Sequence, residues 1–191
     1  MVAHVKLQFQ RIGHRQDRLI LVMKKIFSIL LIISLGCTAS MNQEAVNYED
    51  EQILVGKVNW QGLTQQPYDE WFTPTYLSYK VDSLTLTSLG SKINDIEIIM
   101  FLGTWCSDSQ VEVPQFYKIL DHISYDLSKM TVVALERLES RELVSPQHEE
   151  TEYKITHVPT FIFKRAGKEI GRVTEYPEKT LEKDMLRIIT N

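Results

Sequence analysis

The 191-residue chain has two cysteines, Cys37 and Cys106. A thiol does nucleophilic chemistry as its thiolate, so what matters is which surroundings favour that form. Cys106 follows the apolar run Ile96–Leu102 and the residues Gly103-Thr104-Trp105, and it precedes a helical pattern from about Ser107 to Ile123. A cysteine at such a strand-to-helix junction meets free N–H groups and the positive end of the helix dipole. Trp105 would cover one side of the sulfur. Ser109 falls in the first helical turn, where a hydroxyl can donate to a thiolate and cap amides. Asp108 either opposes the thiolate with its negative charge or caps amides and points to solvent. His157 either brings positive charge or a proton near the sulfur or is a surface loop histidine. For Cys106 itself the alternative is an inert, buried side chain.

The elements that would position these residues follow from pattern. Ile53–Val58 reads as a strand. Tyr68, Phe72, Tyr76 and Tyr79 recur at helical spacing, with Trp71 and Leu77 near the stripe, and Pro74 makes one kinked helix or two short ones. Such an aromatic stripe reads as core before ligand site. Asp82 or Ser83 caps a helix to about Ser91. Ile96–Leu102 is almost continuously apolar, as a central strand covered on both faces should be. Val113, Phe116, Leu120 and Ile123 share one helix face. Met130–Leu135 is a second buried strand, and Glu139–Tyr153 is polar and partly helical. Thr160–Phe163 and Glu169–Val173 flank a turn at Ala166-Gly167-Lys168. Pro177 starts a last amphipathic helix with Leu181, Met185 and Ile188 inward. This order predicts an α/β fold with a mixed central sheet flanked by helices and an N-terminal helical extension.

Over roughly residues 95–190 the chain resembles the thioredoxin-like proteins of the bacterial envelope. Trp105-Cys106-Ser107-Asp108-Ser109 stands where that family has Trp-Cys-x-x-Cys. Pro114, eight residues after Cys106, matches the proline that kinks the active-site helix. Val158-Pro159-Thr160 is similar to the cis-proline loop, followed by the same strand–turn–strand and closing helix. The resemblance implies a thioredoxin-like fold. It also implies a groove of Trp105, Val158 and Pro159 in which the backbone before the cis-proline hydrogen-bonds a substrate chain. An insertion around 138–152 accounts for the longer stretch between Cys106 and Pro159.

The chain also departs from that family. Ser109 replaces the second cysteine, so the resolving step of a dithiol cycle is missing. Met100 stands where many members have a buried acid, and Glu112 reads as a solvated helix-face residue. Three functions remain open. One is thiol–disulfide exchange through the single thiol Cys106, with protein or small-molecule thiols and disulfides as partners. The second is a redox-inactive peptide-binding module using the same groove. The third is a structural lipoprotein that keeps only the fold.

Residues 1–36 carry six basic residues and one acid, whereas the rest holds 15 basic and 24 acidic residues, a net of −9. Met23-Lys24-Lys25 followed by the apolar Ile26–Leu35 reads as a signal peptide over 23–36, too short to span a bilayer. Residues 1–22 then lie upstream of the start. Ser34-Leu35-Gly36-Cys37 resembles the lipobox of bacterial lipoproteins, which implies cleavage before Cys37, lipidation of its thiol and an exported, membrane-anchored protein. The alternative is a plain secretory signal with an incidental cysteine. Residues 37–52 are expected to be a tether, 53–93 an extension and 94–191 the thioredoxin-like domain.

Composition excludes other classes. A pI near 5.8 argues against a nucleic-acid binder. Two cysteines rule out a four-cysteine zinc site, and the five histidines show no paired metal-ligand spacing. No Gly-rich phosphate loop is present, Thr104 lies one position off the peroxiredoxin pattern, and Ser109 has no hydrolase context. Neither metal nor cofactor is expected.

Overall fold

The computed structural model describes residues 40–191. Cys37, the signal peptide and the upstream leader lie outside the described residues. The elements are β1 (Gln43–Val46), β2 (Gln52–Lys57), α1 (Trp60–Leu63), α2 (Asp69–Ser78), α3 (Ser83–Gly90), β3 (Ile96–Leu102) and α4 (Ser107–His122). They continue with β4 (Met130–Ala134), β5 (Glu136–Arg137), β6 (Leu143–Val144), α5 (Glu149–Tyr153), β7 (Thr160–Arg165), β8 (Lys168–Thr174) and α6 (Leu181–Thr190).

The main sheet has the order β1-β2-β4-β3-β7-β8. Strand β3 is central, parallel to β4 and antiparallel to β7. Its side chains divide by the two-residue period of a strand. Ile96, Ile98, Met100 and Leu102 enter the larger core, where α2, α3, α4 and α6 pack; Phe101 enters a smaller core on the opposite face. That second face holds Val133, Leu135, Ile155, Val158 and Ile162, with Trp105 and Cys106 packed against them. The expected α/β fold with a mixed sheet flanked by helices is what the chain adopts.

Helix α4 explains how the larger core closes. Val113, Phe116, Leu120, Tyr117 and Ile119 are buried along it, and Pro114 lies inside it. The Phe116 ring stacks on Phe161 of β7 with centroids 4.4 Å apart. Deleting a ring so placed costs about 3–5 kcal/mol. The aromatic stripe of α2 is core: Tyr68 and Phe72 are buried, whereas Leu77, expected near the stripe, is exposed. Pro74 does not split this helix. Residues 53–93 share one core with the rest, since Leu54, Leu63, Phe72 and Leu89 pack in the same cluster as α4 and α6.

Two expectations are corrected, and a third gains detail. Within the described residues, the tether expected over 37–52 is instead a hairpin arm: Gln43–Val46 pairs antiparallel with Gln52–Val55. Side-chain caps hold it without an apolar pattern. The Asn47 carboxamide oxygen accepts from Glu49 and Glu51 N–H at 2.9 Å each, and Asn42 accepts from Asn59 N–H at 2.9 Å. Asn42 sits so close to Gly62 that any Cβ there would collide with it. The polar stretch 139–153 is helical in part, as expected, in α5, and its strand β6 pairs with β5 just before it. Finally, α6 begins at Leu181, where the Thr180 hydroxyl accepts from Lys183 N–H. Pro177 instead lies in a turn whose Glu178 N–H is held by Asp184 at 2.6 Å.

Candidate functional site

Cys106 is the residue immediately before the first turn of the 16-residue α4, in extended conformation (φ −89°, ψ 123°), and its side chain caps no amide. Its thiol is partly exposed and free. Helix N-termini concentrate unpaired N–H groups and partial positive charge, which stabilise an anion there. The chain turns tightly into the helix, with Cys106 N–H donating to Gly103 C=O at 3.0 Å and Gln110 N–H to Cys106 C=O at 3.0 Å.

The Val158–Pro159 peptide is cis, as the resemblance implied. Its loop comes directly against the thiol, because Cys106 Sγ donates to the Val158 carbonyl at 3.4 Å. Proline at 159 offers no N–H to compete at the sulfur. The loop is tied on both sides: Thr160 Oγ1 donates to His157 C=O at 2.7 Å, and Glu175 N–H donates to Pro159 C=O at 2.7 Å.

Trp105 is fixed edge and face. Its Nε1–H donates to Leu135 C=O at 2.8 Å, and the Arg137 guanidinium carbon lies 4.5 Å from its ring centroid. Arg137 in turn reaches the β1–β2 turn, donating to Tyr48 Oη at 3.2 Å and pairing with Glu49 at 3.4 Å. The segment expected to be a tether therefore forms part of the rim beside Trp105. Gly103 is required by the same packing, since a Cβ there would lie 2.6 Å from Trp105 Cε2. Gln110 Nε2 donates to Thr104 C=O at 2.8 Å, and Thr104 Oγ1 accepts from Leu54 N–H at 3.2 Å, which ties the junction to β2.

Ser109 is fully buried, and its hydroxyl accepts from Gly103 N–H at 3.2 Å. It braces the turn that carries Cys106. Asp108 and His157 are both exposed. Asp108 lies in the first turn of α4, a favourable place for a carboxylate, while His157 Nδ1 meets Thr156 Oγ1 at 3.0 Å. Cys106, Trp105, Ser109, Val158 and Pro159 thus come together, and Asp108 and His157 face solvent beside them.

Glu112 differs from its expected solvated state. It is half-buried, its Oε2 is buried without a hydrogen-bond partner, and burial followed by the nearby Asp108 charge pushes its carboxyl up to about 7. Nothing local in the sequence marks this burial. Arg137, 31 positions after Cys106, is equally invisible to spacing; Gly103 carries a local signal, a glycine two residues before a tryptophan at a turn. Among the described residues no group of three or more His, Cys, Asp or Glu side chains is arranged to hold a metal ion, and no helix is long and apolar enough to cross a membrane.

No protein-family model matches the chain, and no curated protein matches it by sequence. Solved structures do. A protein of unknown function from Pseudomonas aeruginosa aligns at 11% identity and a TM-score of 0.51, over 76% of this chain and 98% of that one. Mitochondrial thioredoxin 3 from Saccharomyces cerevisiae, in its oxidized form, aligns at 23% identity and a TM-score of 0.34, over 61% and 97%. Thioredoxin from Fasciola hepatica aligns at 16% identity and a TM-score of 0.34, over 55% and 86%. At 11% identity the first likeness concerns the fold alone. The fold is thioredoxin-like, as the sheet order, the helix after β3 and the cis-proline before β7 independently describe.

Proposed function

We propose that this thioredoxin-fold protein carries out thiol–disulfide exchange through Cys106 alone, as a lipid-anchored protein of the bacterial envelope. The observation that carries the reading is the position of Cys106: a free thiol before the first turn of α4, 3.4 Å from the Val158 carbonyl that precedes cis-Pro159.

The Cys106 thiolate attacks one sulfur of a substrate disulfide. A mixed disulfide forms, and the other substrate sulfur leaves as a thiolate. A thiolate from an external small thiol or protein thiol then attacks the mixed disulfide, takes the substrate sulfur and returns Cys106 as thiolate. Electrons balance, because the external thiol is oxidised as the substrate disulfide is exchanged. Ser109 cannot attack in place of that thiol; its hydroxyl serves the Gly103 amide. Loss of the thiol proton frees the Val158 carbonyl, which becomes available to a backbone N–H of an extended substrate chain. Such chemistry suits isomerisation or removal of thiol adducts rather than net dithiol reduction.

Export and lipidation rest on the sequence around Met23–Cys37. The redox-inactive alternative uses the same groove of Trp105, Val158 and Pro159 for peptide binding. Non-reducing separation of envelope extracts distinguishes the two. Cys106-dependent adducts that collapse with added thiol, and vanish in Cys106→Ala, are the expected result. If Cys106→Ala retains the same complexes, exchange is wrong and the binding module stands. Radioactive fatty acid should label the chain and not Cys37→Ser; labelling that survives this substitution refutes the anchor.

A further inference from the structure

The β1–β2 turn reaches the thiol site through Arg137. Leu135 and Arg137 stand two residues apart just beyond β4, where Arg137 pairs with Leu143 of β6. Both hold the same indole. The Leu135 carbonyl accepts from Trp105 Nε1–H at 2.8 Å, and the Arg137 guanidinium carbon lies 4.5 Å from the Trp105 ring centroid. One contact fixes an edge of the ring and the other covers a face.

The guanidinium is itself held by the arm. Its carbon lies 6.0 Å from the Tyr48 ring centroid, and its Nη2 donates to Tyr48 Oη at 3.2 Å and meets the Glu49 carboxylate at 3.4 and 3.5 Å. Tyr48 Oη donates to Glu49 Oε1 at 2.9 Å, which closes the set. The turn behind these residues is stiff. Asn47 is buried, its carboxamide oxygen accepts from Glu49 and Glu51 N–H, and its Nδ2 donates to Glu51 Oε2 at 2.9 Å.

Stability alone gives little reason for an arginine here. Its Nε is buried without a hydrogen-bond partner, which opposes folding. The pair with Glu49 joins two partly exposed side chains, and such pairs return little. What arginine alone supplies is a flat cation that stacks on an indole while its fork reaches a second partner. Trp105 precedes Cys106 and packs with it against the smaller core. An indole free to turn would have to be ordered each time a chain docks beside the thiol, at a cost in rotamer entropy.

We propose that Arg137 is a positioning residue for the groove beside Cys106. It acts through Trp105, holding the indole in the orientation that receives an extended substrate chain, and the β1–β2 arm holds Arg137. The inference rests on the reading of Trp105, Val158 and Pro159 as a docking groove. The groove is then not complete within residues 94–191, and the arm finishes it.

The test uses the full chain carrying Cys37→Ser, so that one thiol reacts. One probe is a capped Ala-Val-Ala-Cys-Ala-Val-Ala peptide whose cysteine carries a pyridyl disulfide; the other is dipyridyl disulfide, which has no chain to dock. The Cys106 thiolate forms a mixed disulfide with either probe and pyridine-2-thiolate leaves, so the absorbance of the released thione gives both rates. The peptide preference is the ratio of the two rates divided by the same ratio for the chain unfolded in urea. The unaltered groove should give a preference of at least about tenfold. Arg137→Ala should lower it about fivefold, the worth of a partly exposed cation–π contact, and leave the dipyridyl rate within about twofold. Arg137→Lys keeps the charge without the flat stack and should not restore the preference. In a Trp105→Ala background, Arg137→Ala should change the preference by less than about twofold, because the indole it acts through is gone. Tyr48→Ala with Glu49→Ala, both in the exposed turn, should lower the preference about threefold. Full preference in Arg137→Ala or in Arg137→Lys overturns the proposal, as does an equal loss in the Trp105→Ala background. Where Arg137→Ala does not fold, the Tyr48 and Glu49 variant decides, and full preference there overturns it. An unaltered chain without peptide preference removes the groove itself and the proposal with it, whereas a preference that survives Arg137→Ala removes the proposal alone.

Discussion

Glu112→Gln should turn a pH-dependent weakness of the fold into a flat one. The Glu112 carboxyl is pushed from its ordinary 4.5 up to about 7, first by burial and then by Asp108 one turn earlier. In the folded chain it therefore holds its proton to higher pH than in the unfolded chain. Between pH 4.5 and 7 the folded state binds more protons, and stability falls as pH rises through that window. At 1.36 kcal/mol for each pH unit, a rise of about 2.5 sets a ceiling of roughly 3.4 kcal/mol. The group is only half-buried, so solvent screening reduces this to roughly 1–2 kcal/mol. Glutamine has nearly the same shape and no charge. The variant should match the unaltered chain at pH 5 and exceed it by about 1–2 kcal/mol at pH 8. Urea unfolding followed by tryptophan fluorescence at both pH values measures this, and all other titrating groups cancel in the double difference. An equal stability difference at pH 5 and pH 8, or a variant weaker at pH 8, would mean that Glu112 does not hold its proton in the fold.

Gly103→Ala forces a Cβ to within 2.6 Å of the Trp105 ring. Overpacking of this kind costs about 1–3 kcal/mol, and the displaced indole should lose its bond to Leu135, seen as a lower midpoint in thermal unfolding and a shifted Trp emission. Ser109→Cys places a sulfur in the first turn of α4, three residues after Cys106; the variant should form an internal disulfide and reduce insulin with dithiothreitol, and a folded variant that does neither shows that more than a sulfur is missing. Thr180→Ala removes the cap that receives Lys183 N–H and should cost about 1 kcal/mol in urea unfolding.

Some of this was legible in the sequence and some was not, for physical reasons. Ile96–Leu102 announced itself because a strand covered on both faces must be apolar throughout, and its bounds are as expected. The junction at Cys106 and the cis-proline loop were legible because turn chemistry is local. Strand β1 was not, since Gln43-Glu44-Ala45-Val46 has no apolar alternation and is held by backbone pairing and asparagine caps. The start of α6 was misplaced because Pro177 imitates a helix start, while Thr180 provides the actual cap. The burial of Glu112 and the partners of Arg137, which come from the β1–β2 turn, are encoded by no local spacing. The aromatic stripe of α2 reads as core, and Phe72 is; Tyr76, on the same stripe, packs against Trp60 and Phe72 and borders a cleft.

Exchange through a single thiol requires that the folded chain activate Cys106. In a Cys37→Ser background, so that one thiol remains, the rate of alkylation by iodoacetamide at pH 6.5 can be compared between the folded protein and the same chain unfolded in urea. The thiol is already partly exposed in the fold, so unfolding gains little access and removes the helix. Stabilisation of the thiolate by the α4 N-terminus predicts a folded rate at least about tenfold above the unfolded one. A folded rate equal to or below it would contradict the claim that this thiol does exchange chemistry.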